Sequence, residues 1–353
     1  MKKSLVLELI VTISTALILI YILNKNDKVA DDMNEPIKDI SQNESYISPI
    51  SIDYLRSLMI DSPTPLIEEE LENGSNYKRY IASYTSEGNK VYGLLTVPMG
   101  EMPEGGYPAI VFNHGYIPPL QYQTTSGYVD YVDYLARNGF VVFKIDFRGN
   151  GNSEGDASGS YFSSAYTIDA ISALKSLQKY ENVNPGRIGM WGHSMAGNLL
   201  LRAMLVSDEI KVGVIWAGAV YSYEDFAKYR ISDSSYIHRP FETKEGDQQR
   251  DREVSPEIQK IRSDSGQVDF GNEFWTSISL TKNIRYLSAP VQIHHATEDP
   301  VVNIGYSRDL VEILDQNGKV YEFYEYPGGG HNITAPYFEE AMARTLEFFK
   351  NNL

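Results

Sequence analysis

The sequence predicts an α/β chain: a mostly parallel, eight-stranded sheet with helices on both faces and a cap insertion. Three observations carry this expectation. Short β-branched segments alternate with amphipathic ones from about residue 77 onward, the pattern of strand–helix–strand crossovers. The middle strand segments (AIVFN, VVFKID, IGMW, VGVIW, VQIH) are mostly apolar, as strands covered on both faces should be. One stretch, 221–289, is too long and too polar for a plain loop and reads as the cap.

Taken in order, the chain starts with Lys2-Lys3 and then SLVLELIVTISTALILIYIL at 4–23, whose one charge is Glu8. A helix of that length rises about 30 Å, the thickness of a bilayer's hydrocarbon core. The expectation is an uncleaved, single-pass membrane anchor over 1–23 with its transmembrane helix at 4–23. A cleaved signal peptide is the alternative. Its apolar region is usually shorter and ends at a small-residue site, and no A-x-A pattern follows here. Lys2 and Lys3 favour a cytoplasmic N-terminus and an extracytoplasmic body, while Lys25 and Lys28 beyond the apolar run weaken that bias. Residues 24–76 read as a polar tether and lead-in. Glycosylation triplets at Asn43, Asn73 and Asn332 matter only in a glycosylating host.

Strand-like segments then fall at 78–84, 91–98, 109–113, 141–146, 188–191, 212–217, 291–294 and 319–326. The first two, joined through Glu87-Gly88-Asn89, read as an antiparallel edge hairpin. Helix-like segments fall at 129–137, 166–179, 197–205, 306–317 and 336–349. In the second of these, Ile168, Ile171, Leu174 and Leu177 recur at helical spacing. The cap is charged (ETKEGDQQRDRE), with Phe270, Phe274, Trp275 and Ile278 as apolar anchors. No internal repeat is visible.

Composition excludes several functions. Against 31 Lys+Arg stand 47 Asp+Glu, a net charge of −16 that repels polyanions, so no nucleic-acid partner is expected. Apolar residues at 42% and charged residues at 22% are ordinary globular values. The absence of cysteine rules out disulfides, thiolate metal sites, a cysteine nucleophile and a lipid-modified cysteine. Covalent chemistry must therefore use another side chain.

Serine is the candidate. The strand-like RIGMW runs straight into Gly192-His193-Ser194-Met195-Ala196 and then the helical NLLLRAML. A serine on a tight strand-to-helix turn between small residues projects its Oγ above the sheet, where the helix N-terminus favours negative charge. Ala196 stands where glycine is more usual, and is still small. Six histidines narrow the search for a base. His114 follows a strand, His193 lies inside the turn, His238 is in the cap, and His294-His295 end a strand. His331 alone sits in a Gly-rich loop, YPGGGH, able to fold back over the end of the sheet. For the acid, IHHATEDPVV places Asp299 just past a buried strand; Glu298 beside it, and Glu224 or Asp225 after the preceding strand, compete.

Five segments together resemble the α/β-hydrolase superfamily, and within it the catalytic domain of the prolyl oligopeptidase family and related esterases. They are FNHGY (112–116), DFRGNGNSEG (146–155), GHSMAG (192–197), HHATEDPVV (294–302) and YPGGGH (326–331), in family order over roughly 77–353. The resemblance implies an α/β-hydrolase fold over 77–353 and a serine hydrolase. In it Ser194 attacks an acyl carbonyl, His331 moves the proton and Asp299 orients the imidazole, the chain order of that superfamily. The backbone N–H of Met195 is one expected oxyanion donor by the logic of the turn. The resemblance makes Tyr116 the second, with its N–H and its hydroxyl both open. Departures are Ala196, Ala296 where the pattern has glycine, and a lead-in too short for the propeller of full-size prolyl oligopeptidases.

The remaining motifs read as structural. His114 is expected to shape its loop by hydrogen bonding. Arg148-Gly-Asn-Gly-Asn-Ser-Glu-Gly155 has the wrong glycine spacing for a dinucleotide loop. His294 and His295, adjacent at a strand end, should face opposite ways and so share no metal; no metal and no cofactor is expected. Tyr116, Tyr122, Tyr221 and Tyr223 follow strand C-termini, where pockets form. The resemblance implies cleavage of peptide or amide bonds in small peptides. Hydrolysis of small acyl or sugar esters is the alternative, and a non-catalytic binding protein a third. The sequence leaves the oligomeric state open.

Overall fold

In chain order, α1 (Ile52–Ser57) and β1 (Leu66–Leu71) precede the hairpin β2 (Tyr77–Ser86) and β3 (Asn89–Pro98). Next come β4 (Tyr107–Asn113), α2 (Val129–Arg137), β5 (Val141–Ile145) and α3 (Ala165–Leu177). β6 (Val183–His193), α4 (Met195–Val206), β7 (Gly213–Trp216), α5 (Glu224–Tyr229) and α6 (Glu273–Ile278) follow. The chain ends with β8 (Val291–Ala296), α7 (Gly305–Gln316), β9 (Tyr321–Tyr326) and α8 (Phe338–Asn352). The computed structural model describes residues 48–157, 159, 161–229, 260–261 and 265–353. The expected anchor at 4–23, the tether as far as 47, and the middle of the cap with His238 lie outside the described residues. Among the described residues no helix is long and apolar enough to cross a membrane.

Among the described residues the sheet has nine strands rather than the eight expected, in the order β1-β2-β3-β5-β4-β6-β7-β8-β9. β1, β2, β3 and β5 pair antiparallel in succession; from β5 onward all pairs are parallel. The extra strand is β1, LIEEEL, with no buried residue and a run of glutamates where an alternating apolar face would be. Nothing in its periodicity marks a strand; only pairing with β2 makes it one, and a charged strand blunts the open edge of the sheet. β6 also begins earlier than expected. Val183 pairs with Tyr107 although Asn184-Pro185-Gly186 intervenes before the apolar run. At the hairpin, Glu87 (φ 46°) and Gly88 (φ 82°) are both left-handed, the geometry of a two-residue turn that matches strand twist.

Side-chain alternation sorts the strands into two cores. Ala109, Val111, Val141, Phe143, Ile145, Ile215 and Ile293 face α3, α4 and α7. Ile110, Phe112, Val142, Trp191, Val214 and Trp216 face α2 and α8. The crossover through α2 leads from β4 to its neighbour β5, whereas the one through α3 carries the chain past β4 to β6 on the other side. Strand order therefore reverses between β4 and β6, and the C-terminal ends of strands at such a switch point are the usual place for a site in this kind of sheet. The ends of the cap belong to the core: Tyr221, Tyr223, Trp275, Ile278, Leu280 and Ile284 are all buried.

Helix α4 is held at both ends. Ahead of the sheet, Ile52 and Leu55 of α1 are buried. Arg202 Nη1 donates to the Ile50 carbonyl at 2.8 Å, and Arg56 Nη1 donates to the Leu205 carbonyl at 2.7 Å. At its other end α4 lies so close to the loop after β7 that a Cβ on Gly197 would sit 2.6 Å from Gly218 Cα. Gly197→Ala is expected to push α4 outward and cost about 1–3 kcal/mol. Urea unfolding at neutral pH measures this, and an unchanged midpoint would show that the contact is slack.

Candidate active site

β6 ends in a turn that the backbone does not adopt freely. Ser194 has φ 55° and ψ −120°, a region costing of order 1–3 kcal/mol for a residue with a Cβ. It is held there by its N–H donating to the Trp216 carbonyl at 2.8 Å and its carbonyl accepting from Gly197 N–H at 2.9 Å. The small neighbour is required, since a Cβ on Gly192 would meet the Ala196 carbonyl oxygen at 2.7 Å. Met195 opens α4, so its N–H has no acceptor within the helix and is available to an anion.

The loop after β4 lies against this turn. A Cβ on Gly115 would fall 2.8 Å from Tyr128 Oη, 3.0 Å from His193 Nδ1 and 3.2 Å from Ser194 Cβ. Glycine alone lets the backbone come this near the serine. His114, buried, lies between two carbonyls, Nδ1 at 2.6 Å from Gly115 O and Nε2 at 3.2 Å from Asp146 O. Burial pushes its imidazole down to about 4, so it is neutral and donates to one of them. Beyond Tyr116, which packs half-buried against the core, Tyr122 Oη and Thr124 Oγ1 donate to the two oxygens of Asp146 at 2.9 and 2.5 Å. Tyr122, Tyr221 and Tyr223 are buried.

β9 leads into the Gly-rich loop, and Gly328 (φ 70°) turns it back toward the sheet. His331 Nδ1–H donates to Asp299 Oδ2 at 2.7 Å. Asp299 follows β8; its other oxygen accepts from the N–H groups of Val301 and Val302 at 2.8 and 2.9 Å. His295 Nε2 lies 3.4 Å from Oδ2. Burial alone would raise the Asp299 carboxyl, but hydrogen bonds from His295 and His331 outweigh it and hold the group well below the usual carboxylate range. The rival acids do not reach His331. Glu298 is exposed, Glu224 lies 3.9 Å from Lys282, and Asp225 is pushed up to about 7 by burial and by Asp309.

The structure thus joins Asp299 to His331 directly and sets Ser194 beside Gly115. The hydrogen bonds of the described residues include none from Ser194 Oγ to His331, a bond that in such sites tightens only with substrate in place. His294 and His295 do face opposite ways: His294 meets Tyr326 Oη and Gln292, His295 meets Ser307 Oγ and the Val302 carbonyl.

Sequence reasoning missed three side chains here. His193 Nε2 donates to the His331 carbonyl at 3.0 Å, Tyr128 Oη lies 2.7 Å from His193 Nδ1, and Tyr131 Oη donates to the Asn332 carbonyl at 2.6 Å. The turn motif marks His193 as close to the serine, but no motif marks Tyr128 or Tyr131, which start an ordinary amphipathic helix. Burial, then the neighbouring His331, pushes His193 down to about 3. The unfolded chain therefore takes up that proton first, near the ordinary 6.5, and native stability falls as the pH drops below this value. Between pH 7 and pH 5 the group costs the fold about 2 kcal/mol. His193→Gln should lose that much less than wild type over the same interval in urea unfolding. Equal losses would mean that His193 takes up its proton as readily in the native state as in the unfolded chain.

A family model described as serine aminopeptidase, S33, matches residues 108–336. The chain belongs to this family and is a serine hydrolase. The hydrolase is 26% identical over 276 residues to the uncharacterized peptidase YtmA of Bacillus subtilis (strain 168), covering 77% of this chain and 93% of that one. It is 24% identical over 331 residues to a probable dipeptidyl-aminopeptidase B of Aspergillus terreus, covering 87% of this chain and 32% of the relative. The chain thus spans about a third of the length of that fungal relative. Among solved structures, the acylaminoacyl peptidase of Pyrococcus horikoshii superposes with a TM-score of 0.61 at 22% identity, over 79% of this hydrolase and 42% of that chain. The acetyl xylan esterase of Paenibacillus sp. R4 gives a TM-score of 0.60 at 20% identity, over 84% and 91%. Both likenesses show the α/β-hydrolase fold.

Proposed function

We propose that the chain is a serine peptidase of the prolyl oligopeptidase type that cleaves short peptides through a covalent acyl-enzyme. The hydrogen bond from His331 Nδ1 to the buried Asp299, in the loop that folds back beside the strained Ser194 turn, is the observation that carries this proposal. Ser194 Oγ attacks the acyl carbonyl while His331 Nε2 takes its proton and passes it to the leaving group. Asp299, ionised and bonded to Nδ1–H, fixes the tautomer and stabilises the imidazolium. The oxyanion is met by Met195 N–H and by Tyr116, through its N–H or its hydroxyl. Water, deprotonated by His331, then releases the acid and restores Ser194. No step calls for a cofactor.

A second reading, hydrolysis of small acyl or sugar esters, is favoured by a specific observation. The acetyl xylan esterase matches over nearly its whole length, as does the peptidase YtmA, whereas the dipeptidyl-aminopeptidase B and the acylaminoacyl peptidase extend far beyond the matched part. A fluorophosphonate adduct mapped by mass spectrometry tests the site: it is expected on the peptide containing Ser194, and an adduct elsewhere, or none, overturns the assignment. Paired panels of chromogenic esters and aminoacyl amides then separate the substrates, and rapid ester turnover with no amide turnover would sink the peptidase. The apolar run at 4–23 supports a hydrolase tethered on the outer side of a membrane; recovery of all activity in the soluble fraction of the full-length protein would overturn that placement.

A further inference from the structure

Tyr128 occupies the N-cap of α2 with a left-handed backbone, φ 56° and ψ 23°, a conformation costly for any residue but glycine. The turn ahead of it is pinned by Lys144, buried on β5, whose Nζ donates to the Ser126 and Gly127 carbonyls at 2.7 and 3.3 Å. The phenol so placed lies between the loop after β4 and the serine turn. Gly115 N–H donates to Tyr128 Oη at 2.8 Å. The hydroxyl keeps its own proton to give, and its partner is His193 Nδ1 at 2.7 Å. With Nδ1 accepting, the imidazole carries its proton on Nε2, which donates to the His331 carbonyl at 3.0 Å. The next carbonyl along, that of Asn332, is held by Tyr131 Oη from the same helix. An amide N–H can only donate and a carbonyl can only accept, so the direction of the whole chain is fixed at both ends.

We propose that Tyr128 and His193 are positioning residues: a hydrogen-bonded relay that locks the Gly115 loop and the His331 loop into one geometry about Ser194. The proposal rests on the roles given above to His331 and to the 114–116 loop. Neither relay residue is assigned contact with the acyl group. They act by holding two separate loops, one supplying oxyanion donors and one supplying the base, at distances on which transition-state stabilisation depends steeply. Each relay member also satisfies a buried polar group of the next, so losing one releases the rest.

The test uses the full-length protein and a small p-nitrophenyl ester. Tyr128→Phe removes a single oxygen; it is expected to lower kcat about 10- to 100-fold with KM within about twofold of wild type. A boronic acid inhibitor, which mimics the tetrahedral state, should lose affinity in step with kcat. His193→Leu should do the same, and Tyr128→Phe/His193→Leu should be no slower than the worse single variant, because the residues act as one unit. His193→Gln keeps an N–H donor at the outer position and should recover part of the loss. The relay is overturned if Tyr128→Phe keeps kcat within about threefold of wild type, or if the two losses multiply in the double variant. These outcomes are distinct from failure of the site itself: a fluorophosphonate adduct absent from wild-type Ser194 would remove the proposed reaction, whereas an intact adduct with undiminished kcat in Tyr128→Phe would remove the relay alone.

Discussion

Ser194→Ala is expected to abolish fluorophosphonate labelling and to lower kcat about 10⁶-fold, while Asp299→Asn lowers it about 10⁴-fold with the fold intact. The two numbers differ for a structural reason. Without Ser194 no covalent path exists, whereas with asparagine in place of Asp299 the nucleophile and base remain but the imidazole loses its anionic partner. An asparagine amide placed at Oδ2 would also present N–H to Nδ1 and favour the wrong tautomer. Val301 and Val302 hold the other oxygen at 2.8 and 2.9 Å, so the substituted side chain stays where Asp299 was. The double variant should be no slower than Ser194→Ala alone, since the residues act on one step. Single-turnover kinetics check this, and losses that multiply would show that Asp299 serves something other than the Ser194 pathway.

A second large effect lies away from the chemistry. Arg148 Nε and Nη2 both donate to Asp169 Oδ1, at 2.9 and 2.6 Å, and the backbone N–H of Arg148 donates to Oδ2 at 2.9 Å. Glu87 of the hairpin closes the group at 2.8 Å from Nη1. Burial raises the Asp169 carboxyl, against the pull of Arg148. Asp169→Ala would leave a largely buried guanidinium facing Glu87 and the Ser86 hydroxyl and is expected to cost about 3–5 kcal/mol in denaturant unfolding. Replacing both partners, Arg148→Met with Asp169→Leu, should recover most of that stability, because no uncompensated charge is then enclosed. A loss below about 1 kcal/mol for the single variant would mean that water reaches the pair.

What could be foreseen from residues alone followed from short-range rules. The apolar runs of β4 to β8 announced a covered parallel sheet, because only such strands need apolar side chains on both faces. The serine turn was legible because its backbone tolerates few residue types, and Gly192 and Gly197 each meet backbone atoms that would exclude a side chain. The meeting of His331 with Asp299 was legible because each follows a strand, in an order that the α/β-hydrolase superfamily shares. β1 was not, since its partner β2 rather than its own glutamates makes it a strand. Tyr128 and His193 were also hidden, because their meaning depends on a contact between α2 and β6 that are 65 residues apart at the hydrogen bond. Ser, Asp or Asn would be the usual cap there, so a tyrosine at that position gave no local signal.

The docking of α1 decides how the hydrolase can be handled. Residues 50 to 56 are fastened to the C-terminal half of α4, at Arg202 and Leu205, while Ser194 caps the N-terminal end of the same helix. Eight residues of helix separate Ser194 from Arg202, about 12 Å along the axis. A fluorophore carried at Ser48 would therefore report from the end of α4 opposite the serine turn. The same label in the loop between β4 and α2 would sit at the Ser194 end instead, where Gly115 approaches the serine turn.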